Sequence, residues 1–413
     1  MNDEGIKGVF EKHVPQWVSP GERVLLVVPD TTRTAPMALL MNLLLPVLHA
    51  AGSRVTVLVA LGTHPPLSPE VLREHLGIDP SGDEVRVLNH AWDDPNALMP
   101  VGMLSADEVD VLSGGLMGEA VELKVNRAIA DADRMLFLHP VFPHEMVGFS
   151  GGSKYIFPGI SGPEMIDIVH WLGALRTSGK VIGKIDTPSR RVLDAAAQKM
   201  PLPMHGLSFV YHCGEIVALE AGELCSAWRS AAAASQKVHI TYSPRSYRKL
   251  LACCPSMYPD LWTGGKCVYK CEPVVEDGGE LIVYAPHVKN FSEVHEETVR
   301  ALGYHVRDFF LARMDRYAHL SRAVMAYSTI VKGEGTYLDG VEWPRIRVSF
   351  ATQIPRSICE AADIGYVDPD TIDPADWMNR EEEGVLCVEP AGEMLYRLAS
   401  QRDTDKSPVK MRD

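Results

Sequence analysis

The strongest constraint on the fold is a pair of apolar runs, rich in β-branched residues, separated by one helix-length segment. Arg23–Pro29 reads RVLLVVP, and residues 54–61 read RVTVLVAL. Such runs suit strands buried on both faces. Between them, residues 36–51 have the character of a helix, and Gly52 is placed to end it. Residues 85–89 and 134–139 continue the strand series, and residues 164–175 read as a helix after a Gly- and Pro-rich loop. Strands that alternate with helices predict a parallel, doubly wound sheet. In such sheets ligands sit beyond the carboxyl ends of the strands.

At 413 residues the chain is too long for one ordinary core and suits two domains. The expected architecture is α/β: an N-terminal domain, 1–237, with a doubly wound, mainly parallel sheet, and a second α/β domain, 238–390, with the active site in the cleft between them. Residues 249–254, 280–286 and 345–351 are strand candidates in the second domain, and residues 293–302 a helix candidate. The tail, 391–413, is polar from Ser400, reads as frayed at its end and could return to the first domain. No internal repeat is present.

Composition narrows the function classes. Hydrophobic residues make up 46% and charged residues 23%, the balance of a soluble globular protein. The uncharged run 37–48 is too short to cross a bilayer. The N-terminus, MNDEGIKGVFEKH, is charged and lacks the apolar stretch of a signal peptide, so a cytoplasmic location without a membrane partner is expected. The formal charge of −14, with no basic run interleaved with aromatics, argues against nucleic acid. Among the eight cysteines, Cys253, Cys254, Cys267 and Cys271 lack the paired CxxC spacing of a zinc ribbon. They read as buried, reduced, structural cysteines.

Three strand ends carry unusual polar residues. The first strand runs into Asp30-Thr31-Thr32-Arg33. Arg33 offers a planar fork that matches a carboxylate or phosphate, although taken alone the segment is better read as an Asp-Thr turn with a helix cap and a surface Arg. The second strand ends in Gly62-Thr63-His64-Pro65-Pro66. Glycine lets the chain turn and the prolines stiffen it, which would hold the imidazole at the mouth of the sheet; a plain loop histidine is the competing reading. The third segment, residues 143–154, reads PHEMVGFSGGSK and leads to Pro158-Gly159. Gly, Ser and Lys in this order suggest a phosphate cradle of backbone N–H groups. Ser153 stands where a Walker A loop needs Gly, so ordinary ATPase chemistry is disfavoured. His170 follows on the expected helix. In the second domain, Lys266 follows Thr263-Gly264-Gly265, and His287 and Lys289 follow a strand. Each of these could face a ligand or solvent.

Taken together, the segments resemble the nickel-dependent lactate racemase family. The shared elements are Asp30-x-x-Arg33, Gly62-Thr63-His64, and Pro143-His144 leading through Gly148-Phe149-Ser150-Gly151-Gly152-x-Lys154 to Pro158-Gly159 and His170. The block 143–170 is highly specific; the other two elements are weak alone and strong in company. The resemblance covers the first domain well and the second loosely.

The resemblance implies a nickel-pincer nucleotide, the nickel complex of pyridinium-3,5-bisthiocarboxylic acid mononucleotide, in which the metal is bound through sulfur, carbon and sulfur. Lys154 would hold it covalently as a thioamide, with Asp30, Thr32, Ser150, Gly151 and Gly152 around it. His170 would be the fourth nickel ligand, a role that suits imidazole and a planar Ni(II) site. The implied reaction is racemisation or epimerisation at C2 of a 2-hydroxy acid, by hydride transfer to the cofactor with proton transfer through His64 and His144. Arg33 would clamp the substrate carboxylate, with Lys266 and Thr263 adding contacts. The implied partners are a small 2-hydroxy acid and separate proteins that make the cofactor. Thr263 departs from the glutamine that the family often carries three residues before the lysine, which points away from lactate toward a larger or more polar acid. The alternatives are a C2 epimerase of sugar (aldonic) acids and a non-catalytic carrier of the nickel cofactor.

Overall fold

The computed structural model describes residues 1–80, 82 and 85–402. Residues 403–413, most of the segment expected to fray, lie outside them. The chain is α/β and divides into two compact units. The first comprises Met1–Phe142, Phe149–Ile166 and Arg190–Val238, and the second comprises Pro143–Gly148, Asp167–Ser189 and His239–Asp413. The expected domains were single stretches. The units interleave, and the second takes two short pieces from what reads as the first half.

The first unit is built on a six-stranded sheet. Its order is Glu215–Glu223, Met204–His212, Arg134–Pro140, Arg23–Pro29, Arg54–Ala60, Arg86–Asn89. Every pairing is parallel except that of the first two strands. Arg23–Pro29 sits centrally and is buried along its length after Arg23, as its continuous apolar run requires. Helix Met37–Ala50 packs on the same core with Met37, Leu40, Met41, Leu44 and Leu48, at spacings of three and four. Asp3–Trp17 adds Ile6, Phe10 and Val14 to the same core.

The second unit carries a five-stranded parallel sheet in the order Gly365–Val367, Arg347–Thr352, Val275–Ala285, Tyr247–Cys253, Val385–Val388. Leu251, Cys253, Ile282 and Ala351 form one apolar face of it, under Trp377 and Ile372. Leu395–Leu398, from the segment expected as a tail, pairs in parallel with Ile240–Ser243 of this unit. Arg397 is buried and donates to the carbonyls of Gly179 and Ile182, also in this unit. All eight cysteines are unpaired, five of them buried. Among the described residues no helix is long and apolar enough to cross a membrane.

Candidate active site

In the first unit, the loops after Arg23–Pro29 and Arg54–Ala60 meet. Asp30 is buried, and its Oδ1 accepts from the Thr32 amide at 3.0 Å and the Thr32 hydroxyl at 2.8 Å. This is an Asx turn, the local bonding that Asp offers at the end of a strand. The other carboxylate oxygen, Oδ2, pairs with Nδ1 of His64, whose side chain keeps 29% of its surface exposed. Gly62 reaches the required turn with φ of +57°, and its amide donates to the Gly159 carbonyl at 3.0 Å. The Gly-Thr-His and Pro-Gly elements are thereby tied together. Arg33 is half-buried and donates to the Thr32 carbonyl at 3.1 Å.

Lys154 lies in the 3-10 turn Gly152–Tyr155 and is half-buried among buried neighbours. The turn adjoins the Asp30 loop: burial, then the Asp30 carboxylate, push the Tyr155 phenol up, and the Arg33 charge opposes them. Three of the amides expected to cradle phosphate are turned to internal uses. Ser150 N–H donates to the Phe142 carbonyl at 2.8 Å, Gly152 N–H to His139 Nε2 at 3.1 Å, and Lys154 N–H to the Gly151 carbonyl at 3.3 Å. The Ser150 hydroxyl bridges the Phe142 amide and the Pro140 carbonyl. The glycines have a steric reason instead. A Cβ on Gly151 would stand 2.7 Å from the His139 ring, and one on Gly152 2.7 Å from Trp228, both at positive φ.

In the second unit, His144 is buried and opens a tight turn closed by Gly148, at φ of +85°. Its Nδ1 accepts from the Met146 amide at 3.2 Å, and Glu145 Oε2 lies 3.3 Å from the same nitrogen. Gly173 on helix Pro163–Arg176 lets the turn come close, since a Cβ there would lie 2.8 Å from Met146 Cα. His170 is half-buried on that helix, six residues before its end. Thr263 is buried and bound to its own helix cap: its amide and hydroxyl donate to Asp260 Oδ1 at 2.9 and 2.7 Å. Lys266 is buried, with Nζ 4.4 Å from the centre of the Tyr258 ring, and His287 Nε2 is 3.0 Å from the Tyr258 carbonyl oxygen. Lys289 is exposed.

The structure thus gathers Asp30, Thr32, Arg33, His64 and the Lys154 turn within the first unit. His144, His170, Thr263 and Lys266 belong to the second. Sequence reasoning missed the groups behind the Lys154 turn: His139, Arg190 and Trp228. His139 did carry a signal, being a histidine within the apolar strand RMLFLHP.

The Asp30–His64 pair and the Lys154 turn stand at strand ends of a doubly wound sheet, where ligands of such sheets sit. Over its N-terminal part the chain is similar to lactate racemases. The profile of the lactate racemase N-terminal domain matches residues 7–183. Lactate racemase from Lactiplantibacillus plantarum is 29% identical over 149 residues, which are 36% of this chain and 32% of that protein. Lactate racemase from Thermoanaerobacterium thermosaccharolyticum is 26% identical over 184 residues, 44% of this chain and 40% of that one. The matched stretches therefore span well under half of these relatives. A Thermotoga maritima protein of known crystal structure is 32% identical, with a TM-score of 0.90, over 96% of this chain and 98% of its own. The structure of the Thermoanaerobacterium lactate racemase apoprotein, 16% identical with a TM-score of 0.70 over 95% and 93%, has the same fold.

Proposed function

We propose that this protein interconverts the two configurations at C2 of a 2-hydroxy acid, with His64 and His144 as its proton-transfer groups and a nickel-pincer nucleotide carried on Lys154. The observation that carries this reading is the Asp30–His64 pair at the strand ends, with Arg33 and the Lys154 turn beside it. The similarity of residues 7–183 to the lactate racemase N-terminal domain supports it.

The donor set fits such a cofactor. Among the described residues no three His, Cys, Asp or Glu side chains converge to hold a metal ion. A nickel ion that arrives with sulfur and carbon ligands in place asks the protein for one further donor and an anchor. His170 and Lys154 are assigned these roles. When bound, the nucleotide supplies the acceptor for the C2 hydrogen with its electron pair. The chain supplies the rest. Arg33 holds the carboxylate through paired N–H donors. His64, with Nδ1 committed to Asp30, offers Nε2 to the substrate hydroxyl as a base. His144 accepts a backbone N–H at Nδ1, so its neutral ring carries the proton on Nε2. One ring is set to take a proton and the other to give one, as conversion in either direction demands.

The Thr263 hydroxyl donates to Asp260, so the sugar-acid alternative draws its polar contact from Lys266 rather than from Thr263. The test is chiral analysis of lactate, malate, phenyllactate and gluconate with protein from a host that makes the cofactor, nickel being assayed in the same sample. Conversion at C2 of one or more supports the reading. Nickel-loaded protein that converts none refutes it.

A further inference from the structure

Behind the lysine turn lies a buried cation that the proposed chemistry does not use. Arg190 is 1% exposed, on helix Pro188–Ala197. Its Nη1 donates to the Gly151 carbonyl at 3.1 Å and its Nη2 to the Phe149 carbonyl. Its guanidinium carbon lies 3.9 Å above the centre of the Trp228 ring. Trp228 Nε1 donates to the carbonyl between those two, that of Ser150, at 2.8 Å. Three consecutive carbonyls just ahead of Gly152–Tyr155 are thus held by one cation and one indole. His139 completes the grip by accepting the Gly152 amide, and its ring stacks on Tyr155 at 4.8 Å between centres. Ser153 is pinned as well, its hydroxyl donating to Asp194 at 2.7 Å.

This is costly machinery for an ordinary loop. A buried guanidinium loses its hydration, and burial lowers the Arg190 pKa to about 10 against the pull of Asp194. The fork of Arg reaches two carbonyls at once, which a point charge does not. We propose that Arg190, seated on Trp228, is the positioning residue for Lys154: it fixes the backbone of residues 149–151 so that the lysine amine is presented in one place for attachment of its cofactor. The inference rests on the reading of Lys154 as the attachment residue.

The experiment is carried out on the full chain without cofactor, its lysines reductively methylated with carbon-13. The Lys154 signal is assigned by its loss in Lys154→Arg. Lys124, paired with Glu122 and Glu164 at 2.8 and 2.6 Å, and Lys199, paired with Glu108 at 3.0 Å, serve as fold controls in the same unit. In Arg190→Met the Lys154 signal moves to the position of unfolded lysine while both controls stay. Arg190→Lys recovers part of the shift, because one ammonium cannot span both carbonyls. If Arg190→Met does not fold, Trp228→Phe, which removes the bond to Ser150 and leaves a smaller aromatic ring beneath Arg190, gives a smaller shift in the same direction. A Lys154 signal unchanged in the folded variant, or one that moves only together with both controls, overturns the proposal. Should Lys154→Ala protein still acquire the cofactor adduct, the attachment reading fails while the positioning result stands on its own.

Discussion

His64 and His144 carry the same ring in opposite electrical settings. His64 faces a carboxylate, with Asp30 Oδ2 on Nδ1. His144 faces a backbone donor, the Met146 amide at 3.2 Å from Nδ1, with the Glu145 carboxylate to one side. The hydrogen bond at one nitrogen dictates what the other can do. A carboxylate at Nδ1 leaves a lone pair on Nε2, whereas an N–H at Nδ1 leaves a proton there. The difference shows how two identical side chains can be assigned base and acid roles by neighbours only one or two bonds outside the reaction.

The largest expected effect removes the anchor on which both histidines depend. Lys154→Ala should give protein with no cofactor adduct in its intact mass and no turnover. Next, His64→Ala or His144→Ala should lower turnover by roughly 10²- to 10⁴-fold with nickel content largely kept, while His170→Ala should lose nickel and activity together. Turnover near wild type in either of the first two, at equal nickel, would remove the two-base scheme. Asp30→Asn sharpens the comparison. It keeps the shape but offers Nδ1 an amide that can present N–H as well as C=O, and turnover should fall by roughly 10- to 100-fold. Glu145→Gln, on the other side, should cost less than Asp30→Asn, because the Met146 amide still sets the His144 ring; initial rates measured from each enantiomer check the ranking.

The smallest effect is on stability against pH. Burial lowers His90 to about 4, and burial together with the Arg190 charge lowers His139 to about 3. Their folded values lie below the unfolded value near ~6.5, so the unfolded chain binds more protons as the pH falls. Stability from these two groups is therefore complete above about pH 6.5 and declines as the pH falls toward 4 and then 3. Urea midpoints at pH 7 and pH 5 should show the loss, and His90→Gln should reduce it.

Much of the first sheet was legible because its central strands are continuous apolar runs. Arg23–Pro29 falls where the sequence places it, and Arg54–Ala60, Arg86–Asn89 and Arg134–Pro140 agree within a residue at either end. The antiparallel pair Met204–His212 and Glu215–Glu223 escaped notice. Glu215–Glu223 lies at the sheet edge, is mostly half-exposed and carries a bulge, so it has neither a long apolar run nor clean alternation. The hairpin Leu98–Leu104 with Val121–Asn126 was missed for a related reason: sixteen residues, including helix Ala106–Ser113, separate its strands, and Pro100 and Gly102 interrupt the first. At the site, the lysine and histidine segments were readable because their elements are short and contiguous. Arg190 and Trp228 were not. They reach Gly151 and Ser150 from 39 and 78 residues away, and no local pattern marks a contact of that span.

The measurement that bears most directly on the central claim follows the hydrogen at C2. Nickel-loaded protein is incubated in deuterated water with a single enantiomer of a substrate from the panel, and the product is separated by chirality and weighed. The account predicts the opposite configuration at C2 with the original hydrogen kept there, since the two histidines exchange only the hydroxyl proton. Inversion accompanied by deuterium at C2 would show that a base removes that hydrogen as a proton, and no inversion at all by nickel-loaded protein would show that the site does other chemistry.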